Sequence, residues 1–140
     1  DFTSNKTIDG SDFTFSSLRG KYVLIDFWGV WCSPCVAEMP SINGLKKKLA
    51  EYPDIEFFMI TEDKKMETAI QWIDKKGYDL PIHKTVGRLP DMYETGYVPS
   101  TFVISPAGEM VVKHTGMANY NTRRFRKLLI KLSENSTKSN

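Results

Sequence analysis

Cys32 and Cys35 are the only thiols in this 140-residue chain, and they stand three apart in WCSPC, residues 31–35. Three chemistries could use such a pair. A structural staple works by closing a loop, and a four-residue loop contributes only roughly 2 kcal/mol, against about 4.7 for a loop of 100 residues. Structural zinc needs four ligands. Only His83 and His114 are available to complete a set; they lie on or beside different predicted strands, outside any ligand-spaced motif, and read as partly exposed strand histidines. Reversible dithiol chemistry suits the spacing best. At a helix start, Cys32 has backbone N–H groups and the positive end of the helix dipole beside it, which favour thiolate. A thiol pKa lowered from about 8.5 to about 7 raises the thiolate fraction at pH 7 from roughly 3% to roughly half. Cys35 shares the helical face at i+3, reaches back to Cys32 and should be the more buried sulfur. Pro34 suits a first helical turn, where its missing N–H costs nothing, and Ser33 offers a small hydroxyl donor near the sulfur.

Such a cycle needs a proton acceptor for Cys35. Asp26 sits in VLIDFW with apolar neighbours on both sides. On strand alternation it shares a face with Leu24 and Trp28, and burial there should raise its pKa toward neutrality. Glu38, at Cys35 plus three, is the second candidate, and the residues alone leave the choice between them open.

The elements that must position these groups follow from pattern. DFTFSSL (12–18) alternates like a short strand. YVLIDFW (22–28) and IEFFMIT (55–61) are apolar on both faces, as strands covered on two sides are. Val36, Met39, Ile42, Leu45 and Leu49 trace a helix after the cysteines, with Pro40 expected to kink it. Met66, Ala69, Ile70 and Ile73 trace another that stops at Gly77. A short strand near 82–84 and a short helix near 89–94 come next. STFVIS (100–105) and EMVVKHT (109–115) form a hairpin around Pro106-Ala107-Gly108, and a final helix covers about 121–133. The summary is β-α-β, a helical insertion, then β-β-α: an α/β fold with a mixed central sheet, helices on both faces, and an N-terminal strand extension. The domain is expected over 12–133, with a flexible segment at 1–11 and a disordered tail at 134–140.

Composition bounds the rest. A chain of this length is one domain, and 41% hydrophobic with 26% charged residues fits a globular class. The net charge is only +2. Arg123, Arg124, Arg126, Lys127 and Lys131 read as the wet side of one helix rather than a nucleic-acid stripe, so no nucleic-acid partner is expected. No run of 18 apolar residues occurs, and residues 1–10 lack a signal-like apolar stretch. The chain is therefore either cytoplasmic, or part of a protein whose leader, anchor or further domain lies elsewhere.

LIDFWGVWCSPC (24–35) resembles the active-site strand and motif of the thioredoxin superfamily. SSLRGKYVLIDFWGVWCSPCVAEMP (16–40), the helical insertion and GYVPSTFVISPAGEMV (96–111) are closer to the ResA/TlpA-like branch of membrane-associated or periplasmic thiol-disulfide oxidoreductases. The resemblance implies a thioredoxin fold and a cis Val98-Pro99 bond facing the cysteines. It also implies a client-binding platform of Trp31, Ser33, Pro34, Val98 and Pro99. It further implies a redox-active Cys32–Cys35 disulfide with no other cofactor and no metal. The expected activity is exchange with disulfides of client proteins, more as reductant than oxidant. An upstream thiol reductant, a monomeric state, an extracytoplasmic location and relatives acting in cytochrome c biogenesis complete the expectation. Two departures matter. Ser33 replaces the glycine of typical thioredoxins. Asp26 follows thioredoxin, whereas many ResA-like members have asparagine there and rely on the glutamate matched by Glu38. The competing reading is a thioredoxin-fold binding module without turnover; peroxide reduction is a weaker third.

Overall fold

The computed structural model of the chain describes residues 3–6, 12–14, 18–86 and 90–138. Seven strands form one sheet: β1 (Thr3–Lys6), β2 (Asp12–Thr14), β3 (Tyr22–Trp28), β4 (Ile55–Thr61), β5 (Ile82–Val86), β6 (Ser100–Ile104) and β7 (Met110–Thr115), in the order β2-β1-β5-β4-β3-β6-β7. Three helices accompany them: α1 (Ser33–Lys48), α2 (Met66–Lys76) and α3 (Arg123–Lys138). β3, β4 and β5 are parallel neighbours, and the remaining pairings are antiparallel, so the sheet is mixed.

The topology explains where the helices lie. The crossovers β3-α1-β4 and β4-α2-β5 step the same way across the sheet, and right-handed crossovers of that kind put both helices on one face. That face holds Leu24 and Trp28 of β3, Met39, Ile42 and Leu45 of α1, Ala69 and Ile73 of α2, and Leu129 of α3 in one cluster. The opposite face packs Val23, Ile25 and Phe27 of β3 with Phe58, Ile60, Phe102 and Ile104, and is capped by Tyr93 from a one-turn 3-10 helix, Asp91–Tyr93. Both faces thus carry a helical element, but unequally. All seven residues of β3 are buried, which is why its sequence shows no polar alternation except at Asp26.

Several boundaries differ from the sequence expectation. Residues 3–6, expected to be flexible, form a strand. β5 would otherwise present an outer edge of unpaired backbone groups, and β1 covers it in four register pairs from Thr3↔Val86 to Lys6↔His83. The tail expected to be disordered from 134 is helical to Lys138; no glycine or proline stops it, and Ser133 just ahead of it is buried. The short helix expected near 89–94 is the narrower Asp91–Tyr93 turn, with 87–89 outside the described residues. α1 runs as one element through Pro40. Gly77 closes α2 in the left-handed conformation at φ 74°, as a helix stop requires. Among the described residues no helix is long and apolar enough to cross a membrane.

Candidate active site around the Cys32–Cys35 pair

The cysteines lie where β3 hands over to α1. Cys32 is the N-cap of the helix, in extended conformation at φ −99° and ψ 106°, and Pro34 occupies the first turn. The Cys35 N–H donates to Cys32 Sγ at 3.2 Å, so the sulfur occupies the place an N-cap oxygen usually takes. Cys32 and Cys35 are joined as a disulfide with Cα atoms 5.2 Å apart. Cys32 is 6% exposed and Cys35 fully buried, so Cys32 is the sulfur open to solvent. Val98 O lies 3.8 Å from Cys32 Sγ, and the Val98-Pro99 bond is cis.

Two features fix the loop ahead of the helix. The buried Asp63 carboxylate accepts from the Val30 N–H at 3.1 Å and from the Thr61 hydroxyl at 2.7 Å, tying the loop to the end of β4. Trp31 folds its indole across Gly29: a Cβ there would sit 2.6 Å from Trp31 Nε1. Trp31 nevertheless stays 65% exposed. With exposed Ser33 and Pro34 it surrounds the sulfur pair with a low surface. Nothing in the sequence marked Asp63; its role depends on where β4 ends.

β3 and α1, the two elements that flank the cysteines, also carry a buried polar group. Asp26 and Glu38 are 0% and 1% exposed. Their carboxyl groups are within hydrogen-bonding reach of each other, while Asp26 Oδ2 and Glu38 Oε1 find no donor among the described residues. Two ionised carboxylates offer each other no donor, so one shared proton turns the contact into a hydrogen bond. Burial pushes Asp26 well above the ordinary carboxylate range, and the Glu38 charge and hydrogen bond add to it; the Thr101 hydroxyl, donating to Oδ1 at 2.8 Å, pulls it back. Glu38 is pushed up to about 7, again mainly by burial, offset by Asp26 and by the Ala118 N–H, which donates to Oε2 at 3.3 Å. Tyr120 completes the group: its buried phenol sits beside Thr101, Glu38 and Asp26, and burial raises it so that it stays neutral. Thr101 and Tyr120 were not singled out in the sequence. The only signal for Thr101 is its register opposite Asp26 across β3 and β6.

Thr101→Val should therefore raise the Asp26 titration further, because it removes the one hydroxyl that favours the charged carboxylate. Carboxyl chemical shifts followed against pH in the wild type and the variant would show it; an unchanged or lowered midpoint contradicts this arrangement.

Among the described residues, the hydrogen-bond partners of Cys32 Sγ are backbone groups of Cys35 and Val98, not a histidine. His83, expected to be partly exposed, is 2% exposed with its ring centroid 4.2 Å from that of Phe58, because β1 covers the outer edge of β5. His114 lies on β7, with its ring centroid 6.3 Å from Tyr120. Among the described residues no three potential ligands gather into a metal-binding group.

Comparison with known proteins agrees with this geometry. Residues 1–113 match the AhpC/TSA family. A thiol-disulfide oxidoreductase ResA of Oceanobacillus iheyensis is 35% identical over 109 residues, covering 76% of this chain and 55% of the relative. The ResA of Halalkalibacterium halodurans is 30% identical over 126 residues, covering 87% and 70%. The chain thus spans about half the length of the first relative. The crystal structure of a secreted thiol-disulfide isomerase from Corynebacterium glutamicum superposes with a TM-score of 0.76 at 17% identity, covering 96% of this chain and 84% of the other. The fold is thioredoxin-like, and the chain belongs to the AhpC/TSA family, with thiol-disulfide oxidoreductases named ResA among its relatives.

Proposed function

We propose that the chain is a thiol-disulfide oxidoreductase that reduces disulfides of client proteins. The observation that carries this reading is Cys32 Sγ at the N-cap of α1, accepting from the Cys35 N–H and bonded to a buried Cys35. In the reduced protein, Cys32 thiolate attacks one sulfur of a client disulfide. That S–S bond breaks, a Cys32–client bond forms, and the second client sulfur leaves as thiolate and takes a proton from water. Cys35 then loses its proton to the Asp26–Glu38 pair and attacks Cys32 Sγ; the remaining client sulfur departs and is protonated. Two electrons have passed to the client, and the 32–35 disulfide remains. A separate dithiol reductant must restore it, and the scheme needs no cofactor beyond the two sulfurs.

The carboxyl pair acts as one base. It holds one proton near neutrality and takes up the one Cys35 gives, so neither residue alone is the acceptor. Trp31, Ser33, Pro34, Val98 and Pro99 form the surface on which the client chain lies, and the Val98 carbonyl beside Cys32 is the acceptor for an N–H of an extended client segment, as strand addition requires. The protein works as a monomer outside the cytoplasm; for the location, support comes from the Corynebacterium glutamicum isomerase of the same fold, which is a secreted protein. Cysteines of apocytochromes c awaiting haem are one client class that the resemblance to the ResA/TlpA-like branch implies.

Insulin reduction in the presence of dithiothreitol tests the activity. The expected result is earlier onset of B-chain precipitation in proportion to protein added. No acceleration, with insulin still retained by a Cys32→Ser variant, would favour a binding module instead.

A further inference from the structure

Beside Cys32 runs an open groove of about 800 Å³, lined by Trp31, Glu62, Glu94, Tyr97 and Val98 among others. Val98 also borders the reactive sulfur, at 3.8 Å through its carbonyl oxygen, so whatever occupies the groove lies alongside the exchanging bond. Two properties of the groove are unusual for this molecule.

The first is its charge. The chain carries 19 lysines and arginines and a net charge of +2, yet the charged residues lining the groove are Glu62 and Glu94, with no basic side chain among the described lining residues. Neither glutamate forms an ion pair with another described residue.

The second is its built wall. Tyr97 is 73% exposed, but the loop carrying it is held tightly. Thr95 Oγ1 accepts from the Tyr97 N–H at 3.1 Å and lies 2.7 Å from Ser100 Oγ, while Ser100 Oγ donates to Tyr97 O at 2.6 Å. Gly96 turns the loop with φ 74°, a conformation that favours glycine. An aromatic ring presented to solvent on a preorganised loop, in the same groove as the exposed Trp31, is a surface that loses little freedom on binding.

We propose that this groove selects client segments carrying a lysine or arginine within a few residues of the target cysteine, with the side-chain stem against Tyr97 and Trp31 and the cationic head between Glu62 and Glu94. The inference rests on the exchange reaction proposed above and adds the class of sequence preferred. Aromatic faces attract a cation through the ring quadrupole, and acidic rims speed encounter with basic partners while penalising acidic ones.

The test uses the pre-reduced full chain and three synthetic disulfide peptides identical except for lysine, glutamine or glutamate beside the cysteine. Single-turnover rates should rank lysine, then glutamine, then glutamate, with the extremes about tenfold or more apart at low salt and converging as salt screens the charges. In Glu62→Gln/Glu94→Gln the lysine-to-glutamate ratio should fall toward one, and Glu94→Lys should lower it further. Glu51→Gln, a remote surface change, should leave the ratio as in wild type. Equal rates for the three peptides on the wild-type chain, or a ratio that survives the double substitution, overturn the proposal and leave the exchange reaction standing. Failure of every peptide to react, while dithiothreitol cleaves them all, overturns the exchange reaction itself.

Discussion

Cys32→Ser will show no disulfide exchange above background, and Cys35→Ser will lose turnover while accumulating a covalent adduct with its client. The two outcomes differ because the two sulfurs are placed differently. Cys32 stands at the helix start with an amide N–H aimed at its sulfur and 6% of its surface open. Cys35 is fully enclosed, so no bulky disulfide reaches it. Without Cys32 no first attack occurs. Without Cys35 the first attack proceeds, but the intramolecular displacement is gone, and an effective molarity on the order of 10⁵ M is lost with it. Turnover should fall by about 10³-fold or more in either variant. Steady-state reduction measures the loss, and intact-mass analysis separates the two. An adduct on Cys35 in the Cys32→Ser protein would mean that the assignment of attacking and resolving sulfur is reversed.

Asp26→Asn should slow resolution and also stabilise the fold at neutral pH. Asp26 is fully buried and keeps its proton because burial and the neighbouring Glu38 oppose its charge. Its folded-state pKa lies above the unfolded value near 3.9, so the folded state binds more protons. That linkage stabilises the protein fully below about pH 4 and is lost as pH rises through the folded value. Glu38, at about 7, adds a loss of the same sign between roughly pH 4.3 and 7. The wild-type melting temperature should therefore fall from pH 4 toward neutrality. Asparagine keeps the shape without the charge, so the fall should be shallower and the variant more stable at pH 7, by about 1–3 kcal/mol. Activity moves the other way. Removing half of the shared base should slow release of the mixed disulfide by about 10²-fold, at the low end of general-base effects. Thermal melts across this pH range and single-turnover resolution rates report the two consequences separately. A variant that is both less stable and equally fast would show Asp26 to be only a hydrogen-bonded piece of the core.

The legibility of the chain follows the physics of each part. β3 and β4 end where YVLIDFW and IEFFMIT end, because strands buried on both faces are continuous apolar runs. Cys32, Cys35 and Glu38 were legible because a helix face is a matter of spacing, and Asp26 because a carboxylate among apolar neighbours is conspicuous. β1 was not: TSNK has no apolar alternation, and its pairing is dictated by an open edge on β5, far away in sequence. Asp63, Thr101 and Tyr120 look like ordinary polar residues until strand register and the packing of the segment after β7 bring them to the site. The client groove was legible only in part. Trp31 adjoins the motif, but Glu62, Glu94 and Tyr97 come from two loops whose juxtaposition no local pattern encodes.

The most direct test of the account is the ionisation of Cys32 in the reduced Cys35→Ser protein, where it is the single sulfur to titrate, followed by ultraviolet thiolate absorbance against pH. A helix N-cap sulfur facing a backbone N–H should ionise at least one unit below the value of about 8.5 for a free thiol. A midpoint at or above that value would contradict an activated Cys32, and with it the exchange cycle built on that sulfur.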